Sequence, residues 1–136
     1  MHGLMDPLAT ILIEDSPTIR ASLIPALSEL ASVKVVAVAE TAAEGIAALR
    51  AHDEWRLAVI DMFLKEGNGF AVLRACPDRR PDQHMIVLTN YATLDIRQKS
   101  TAAGADAVFD KSTEIDLFFD LCKVYAAEQD RPLAGG

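Results

Sequence analysis

The sequence predicts an α/β domain built on an open, doubly wound sheet of five parallel strands. Two observations carry that prediction. Five short apolar runs alternate with five segments of helical spacing, and strict βα alternation yields a parallel sheet covered by helices on both faces through right-handed crossovers. The runs also lack polar alternation, as expected of strands buried on both faces. Five strands are too few for an eight-stranded barrel, so the open sheet is the architecture that remains.

The first strand is expected at residues 8–13. Pro17 follows at a position where a first helical turn tolerates proline, with Ser16 as N-cap, and the helix runs to about Leu30. Ile19, Leu23, Leu27 and Leu30 share one face of it. The β-branched run 33–38 reads as the second strand. Thr41 caps a second helix to about Ala51, with Glu44 completing a capping box. Residues 55–60 form the third strand, opened by Trp55, which reads as packing. Gly67 and Gly69 bracket a loop, and a short helix over 70–75 ends ahead of Pro77. After a polar connector, 85–89 is the fourth strand, and 92–103 is a helix closed by Gly104. Residues 107–109 form a short fifth strand, and Ser112 or Thr113 caps the last helix, which ends near Glu128. Residues 1–7 and 129–136 are expected to be tails around a single domain of 8–128.

Bulk properties narrow the function classes. The chain of 136 residues is 51% hydrophobic and 24% charged with a net charge of −7, which suits one folded domain. An acidic chain without a Lys/Arg cluster is a poor partner for nucleic acid, whose binding rests on phosphate neutralisation. No apolar stretch approaches the roughly 20 residues of a membrane span, and the N-terminus lacks a basic signal-peptide region, so a cytoplasmic location is expected. Cys76 and Cys122 have no metal-ligand spacing and read as free thiols.

The chemistry gathers at the carboxyl ends of the strands. Ile11-Leu12-Ile13 ends in Glu14-Asp15, Leu57-Ala58-Val59-Ile60 ends in Asp61, Met85-Ile86-Val87-Leu88 ends in Thr89, and the fifth run ends near Lys111. In open α/β sheets the ligand sits outside those carboxyl ends. Three carboxylates, a hydroxyl and an ammonium suit a hard cation such as Mg²⁺ together with a phosphoryl group. Asp15 and Asp61 can ligate directly, and Glu14 through water. A carboxylate can also act as a covalent nucleophile, with the cation and Lys111 relieving charge and the Thr89 hydroxyl donating to a phosphoryl oxygen.

These motifs, in this order and joined by Gly69 and by Gly104-Ala105-Asp106 leading into Lys111, resemble the receiver domains of bacterial two-component response regulators, over residues 8–128. The resemblance implies a flavodoxin-like fold with strand order 2-1-3-4-5. It implies that Asp61 accepts a phosphoryl group from a phosphohistidine on a partner histidine kinase or phosphotransfer protein. Glu14, Asp15 and Asp61, with the backbone carbonyl of Phe63, would hold Mg²⁺, with Mn²⁺ able to substitute. Thr89 would be the switch hydroxyl, and Lys111 would pair with Asp61 and then with the phosphoryl group. Such a chain is a signalling switch, a monomer or phosphorylation-linked homodimer, and no enzyme beyond its own phosphoryl transfer and dephosphorylation. It would act through a surface around the fourth helix, fifth strand and fifth helix on an output protein yet to be identified. With only a short tail after Glu128, it reads as a stand-alone receiver.

Four departures from the family pattern concern transmission and lifetime. Ser112 replaces the usual proline after the lysine, which predicts a trans Lys111–Ser112 bond. Val108 stands where the family has an aromatic switch residue, and alternation puts Phe109 on the other sheet face, leaving Tyr91 as a stand-in. Asn90 replaces a small residue after Thr89 and could crowd or hydrogen-bond a phosphate. Phe63 and Tyr91, each two residues beyond a site residue, are either ordinary half-buried aromatics or a barrier to the attacking water.

Two rival classes fit less well. A Mg²⁺-dependent phosphohydrolase would carry a second Asp where Phe63 stands. A flavin or nucleotide module would place a phosphate-binding loop where Glu14-Asp15 would repel it. A degenerate receiver used only for docking remains an alternative. The wide apolar arc of the last helix, including Leu117, Phe119, Leu121 and Val124, is either deep packing or a partner surface.

Overall fold

The computed structural model describes residues 7–129. The elements run β1 (Leu8–Ile13), α1 (Pro17–Ala31), β2 (Val33–Ala39), α2 (Ala42–Ala51), β3 (Leu57–Ile60), α3 (Gly69–Arg74), β4 (His84–Thr89), α4 (Leu94–Ala103), β5 (Ala107–Asp110) and α5 (Ile115–Gln129). All strand pairs are parallel, in the order β2-β1-β3-β4-β5. This is the predicted doubly wound sheet, and the order reverses between β1 and β3.

Alternate residues of each strand feed two separate cores. Ile11, Ile13, Ala58, Ile60, Met85 and Val87 face one side, where they meet Leu49 of α2, Val72 and Leu73 of α3, and the half-buried Ile96 and Ala103 of α4. Leu8, Leu12, Leu57, Val59, Ile86 and Leu88 face the other, against Leu23 and Leu27 of α1 and Phe118, Cys122 and Ala126 of α5. Val108 joins the first core and Phe109 the second, so alternation in β5 does separate them.

Caps explain most boundaries. Ser16 accepts from the Ile19 amide, and Pro17 opens α1. Pro25 lies inside α1, where its missing N–H leaves the Ala21 carbonyl without an intrahelical donor. Thr41 caps α2, but Glu44 reaches back to the amide of Glu40 rather than of Thr41. Gly104 closes α4 at φ 119°, a left-handed conformation that suits glycine.

Several expected boundaries shift. Asn68 caps α3 by accepting from the Ala71 amide, so that helix begins at Gly69. Thr93, in extended conformation, accepts from the Ile96 amide and delays α4 to Leu94. Trp55 is buried, but its amide turns back to the His52 carbonyl, and β3 starts at Leu57. Neither Ser112 nor Thr113 caps α5. Both amides instead donate to the Asp110 carboxylate, and α5 begins after Glu114. Its last described residue, Gln129, is still helical, and most of both expected tails lies outside the described residues.

Candidate functional site

The site lies where β1, β3, β4 and β5 end on one edge of the sheet. The Asp61 amide donates to the Ile13 carbonyl at 2.9 Å, which carries the β1–β3 ladder one step further and sets Asp61 beside Glu14 and Asp15. The Lys111 amide donates to the Thr89 carbonyl at 3.0 Å and does the same between β4 and β5. Four strand ends distant in sequence thus bring Glu14, Asp15, Asp61, Thr89 and Lys111 to one place through backbone pairing.

The Lys111 ammonium bridges two of the carboxylates. It donates to Glu14 Oε1 and, at 3.0 Å, to Asp61 Oδ2. The three side chains are 10%, 3% and 11% exposed, so this is a nearly dry ion cluster, in which electrostatic interactions are strong and an unmatched charge is costly. Burial lowers the Lys111 pKa, but the Glu14 contact and the Asp61 charge outweigh it and leave the group raised and cationic. Burial pushes the Glu14 carboxyl up, despite hydrogen bonds from Lys111 and the Ser16 amide, and the Asp61 charge adds to the rise.

Carboxylate oxygens of Glu14, Asp15 and Asp61 all lie within 4.8 Å of one another. That oxygen-only donor set fits a hard cation of the Mg²⁺ kind, which binds through one or two carboxylates and keeps several waters. The donors are not equivalent. Both Glu14 oxygens accept hydrogen bonds, one from Lys111 and one from the Ser16 amide at 3.1 Å, whereas half-buried Asp15 and one oxygen of Asp61 accept none among the described residues.

The loop after Asp61 is held tightly. The Gly69 amide donates to the Met62 carbonyl, and Phe63 bridges to Asn68. A Cβ on Gly69 would stand 2.9 Å from the Asp61 carbonyl oxygen, so no other residue allows this approach without a shift. The Lys65 amide and the Glu66 carbonyl pair with the turn before α2. The Phe63 carbonyl therefore belongs to a loop fixed at both ends.

The remaining predicted residues take distinct places. Thr89 is fully buried, and its hydroxyl accepts from the Tyr91 amide at 3.2 Å. Asn90 is exposed and reaches the Ser112 hydroxyl at 3.5 Å, the long limit of a hydrogen bond. Phe63 and Tyr91 are half exposed and meet edge to face, 4.9 Å between ring centroids. Val108 packs in the first core, away from the site. No peptide bond is cis among the described residues, so Lys111–Ser112 is trans.

Sequence reasoning missed the supporting arginines. Arg20 of α1 donates to the Glu14 carbonyl at 2.7 Å and pairs with Glu40. Arg97 of α4 reaches the Ala92 and Val108 carbonyls and the Glu114 carboxylate. Only helical spacing marks these residues in sequence, and it does not reveal partners on other elements.

The comparisons with known proteins agree with this geometry. Residues 10–122 match the family described as the response regulator receiver domain. The chain belongs to that family. A response regulator receiver domain protein (CheY-like) from Methanospirillum hungatei has a solved structure that superposes with a TM-score of 0.75 at 28% identity, covering 91% of this chain and 97% of that one. A two-component response regulator of the LuxR family from Aurantimonas has a TM-score of 0.79 at 20% identity, covering 90% of this chain and 86% of that one, and shows likeness of fold alone. The acid tolerance regulatory protein ActR of Rhizobium meliloti is 37% identical over 81 residues, 60% of this chain and 41% of its own length. The chain thus spans about two fifths of that relative. Receiver domains are signalling switches of two-component systems rather than ordinary enzymes, and they bind Mg²⁺ at an acidic pocket of the kind formed by Glu14, Asp15 and Asp61. No helix of the described residues is long and apolar enough to cross a membrane.

Proposed function

We propose that this receiver domain is switched by phosphorylation of Asp61 in a Mg²⁺-dependent reaction. The observation that carries the reading is the Lys111 ammonium held between Asp61 and Glu14 in a nearly dry cluster at the strand ends. The donor is a phosphohistidine on a histidine kinase or histidine phosphotransfer protein. An Asp61 oxygen forms the new P–O bond. The N–P bond breaks, its electron pair returns to the imidazole nitrogen, and that nitrogen takes a proton from water.

Asp15 and Asp61, with the Phe63 carbonyl, would hold the Mg²⁺ directly, and Glu14 would act through a water. When bound, the cation relieves negative charge on the phosphoryl oxygens. The chain's own groups do the rest. Lys111 exchanges part of its contact with Asp61 for a phosphoryl oxygen, a charge-assisted bond. The Thr89 hydroxyl, which now accepts from the Tyr91 amide, turns to donate to the same group. Phe63 and Tyr91 limit access of water, so the acyl phosphate persists. Asn90 lies beside this entrance. The output is a change in a partner-binding surface around α4, β5 and α5, read by an output protein in the cytoplasm.

The test is incubation with acetyl phosphate and Mg²⁺ followed by intact mass. The wild type should gain one phosphoryl group and Asp61→Asn none. No adduct on the wild type with any donor would make the chain a docking module that has kept the site's shape without its reaction.

A further inference from the structure

Helix α4 meets the first core only through the half-buried Ile96 and Ala103, and polar contacts supply much of the rest of its attachment. Its one fully buried residue is Ser100, whose hydroxyl has no hydrogen-bond partner among the described residues. Leu94 at its start is 71% exposed. An unpaired buried hydroxyl costs stability, so the apolar seat of this helix is narrow and carries a penalty of its own.

Arg97 supplies the attachment. From the middle of α4 its guanidinium donates to the Ala92 carbonyl at 2.9 Å, to the Val108 carbonyl of β5 at 3.1 Å, and to Glu114 Oε1 at 2.7 Å. The same Glu114 oxygen accepts from the Asp110 amide at 2.9 Å, while the Glu114 amide donates to the Asp110 carbonyl at 2.9 Å. The Asp110 carboxylate in turn takes the Ser112 and Thr113 amides. These bonds close the loop that carries Lys111. One carboxylate oxygen therefore joins α4, through Arg97, to the residue directly before Lys111. The Val108 side chain points into the first core, and its backbone carbonyl is what Arg97 grips.

We propose that the Arg97–Glu114 pair couples Lys111 to α4 in this chain. Displacement of Lys111 shifts Asp110, alters its hold on Glu114, and so changes how firmly Arg97 seats α4. Arg97 and Glu114 are positioning residues, since neither touches the reacting atoms. The phosphorylation-driven form of this coupling rests on the reading of Asp61 as phosphoacceptor; the link from Lys111 to α4 does not.

The experiment measures amide hydrogen exchange across residues 94–103 in the full chain, for wild type, Arg97→Gln and Glu114→Gln. Each is treated with acetyl phosphate and Mg²⁺, and the adduct is followed by intact mass. A second arm introduces Lys111→Gln into each background without a phosphodonor. Coupling through the pair predicts that adduct formation, or Lys111→Gln, changes α4 exchange at least threefold in the wild type and by less than half that factor when either latch residue is replaced. An equal response with and without the latch overturns the proposal. If the wild type takes no phosphoryl group, the reading of Asp61 fails by its own measurement, and the Lys111→Gln arm decides the coupling alone. If Arg97→Gln does not fold, Glu114→Gln carries the comparison, because it keeps the side chain's size and one of its hydrogen-bonding oxygens.

Discussion

The rings of Phe63 and Tyr91 meet edge to face at 4.9 Å, although one follows β3 and the other follows β4. Each stands two residues beyond a site residue, Asp61 and Thr89. Both are large, half exposed and in contact, and on the proposed reading they screen a phosphoryl group on Asp61 from water. The isolated phosphoprotein should keep its phosphoryl group for minutes or longer. Replacing both residues with Ala should speed its loss by about tenfold, equivalent to roughly 1.4 kcal/mol of barrier. Phosphate release after removal of the donor measures both rates, and a wild-type half-life of seconds would refute the barrier.

The Lys111 cluster should also dominate local stability. Lys111→Met leaves Glu14, whose side chain is 3% exposed, without its cation. Breaking a buried pair by removing one partner costs about 3–5 kcal/mol. Adding Glu14→Gln should recover much of that loss, because the stranded charge is gone. Urea midpoints for the two single variants and the double variant check this. Additive losses would place the pair in a wetter setting than the geometry gives it.

Gly69 offers a steric test of how Asp61 is held. An Ala at this position would put its Cβ 2.9 Å from the Asp61 carbonyl oxygen and 3.2 Å from Met62 Cα. Gly69→Ala should therefore displace the loop after β3. Acetyl phosphate labelling should slow severalfold, while far-UV circular dichroism remains native. An unchanged labelling rate would mean the loop relaxes without moving the phosphoacceptor.

The Asp110–Glu114 loop gives a pH dependence with a definite sign. Hydrogen bonds from the Ser112 and Thr113 amides hold Asp110 below the usual carboxylate range, and the Arg97 hydrogen bond does the same for Glu114. Groups lowered on folding stabilise the protein above their ordinary values and lose that contribution as pH falls through the folded values. Stability should decline from about pH 4.5 downward, near the ordinary carboxylate range. Asp110→Asn with Glu114→Gln should lower stability at neutral pH and flatten this acid limb. An unaltered slope below pH 4.5 would show that other carboxylates control acid unfolding.

Ser100 predicts a gain. Its buried hydroxyl has no partner among the described residues, and leaving such a group unpaired costs about 1–3 kcal/mol. Ser100→Ala should raise stability by about 1 kcal/mol in urea titration, with slower exchange in α4. A loss of stability would mean the hydroxyl finds a hydrogen bond in solution.

Much of this molecule was legible before any coordinates. The apolar runs and caps placed every strand and helix to within a few residues, since Ser16, Thr41 and Gly104 signal helix ends locally. The polar residue closing each run located Glu14, Asp15, Asp61 and Lys111 on one edge. Errors arose where one local bond competed with another. The α5 start moved because the Asp110 carboxylate captured the amides of Ser112 and Thr113. The early starts expected for β3 and α4 failed because a turn at Trp55 and a cap at Thr93 intervene.

The sequence by itself determined the fold class, the sheet edge that carries the chemistry, and the residue types present there. Continuous apolar runs and local capping are properties of neighbouring residues and can be read along the chain. Only the tertiary structure decided how those residues are connected. It gave Lys111 Glu14 as a second partner beside Asp61, brought Phe63 against Tyr91, and fastened α4 through Arg97 to Glu114. Such contacts join segments far apart in the chain, and their partners are selected by strand order and crossover geometry, which no local pattern encodes.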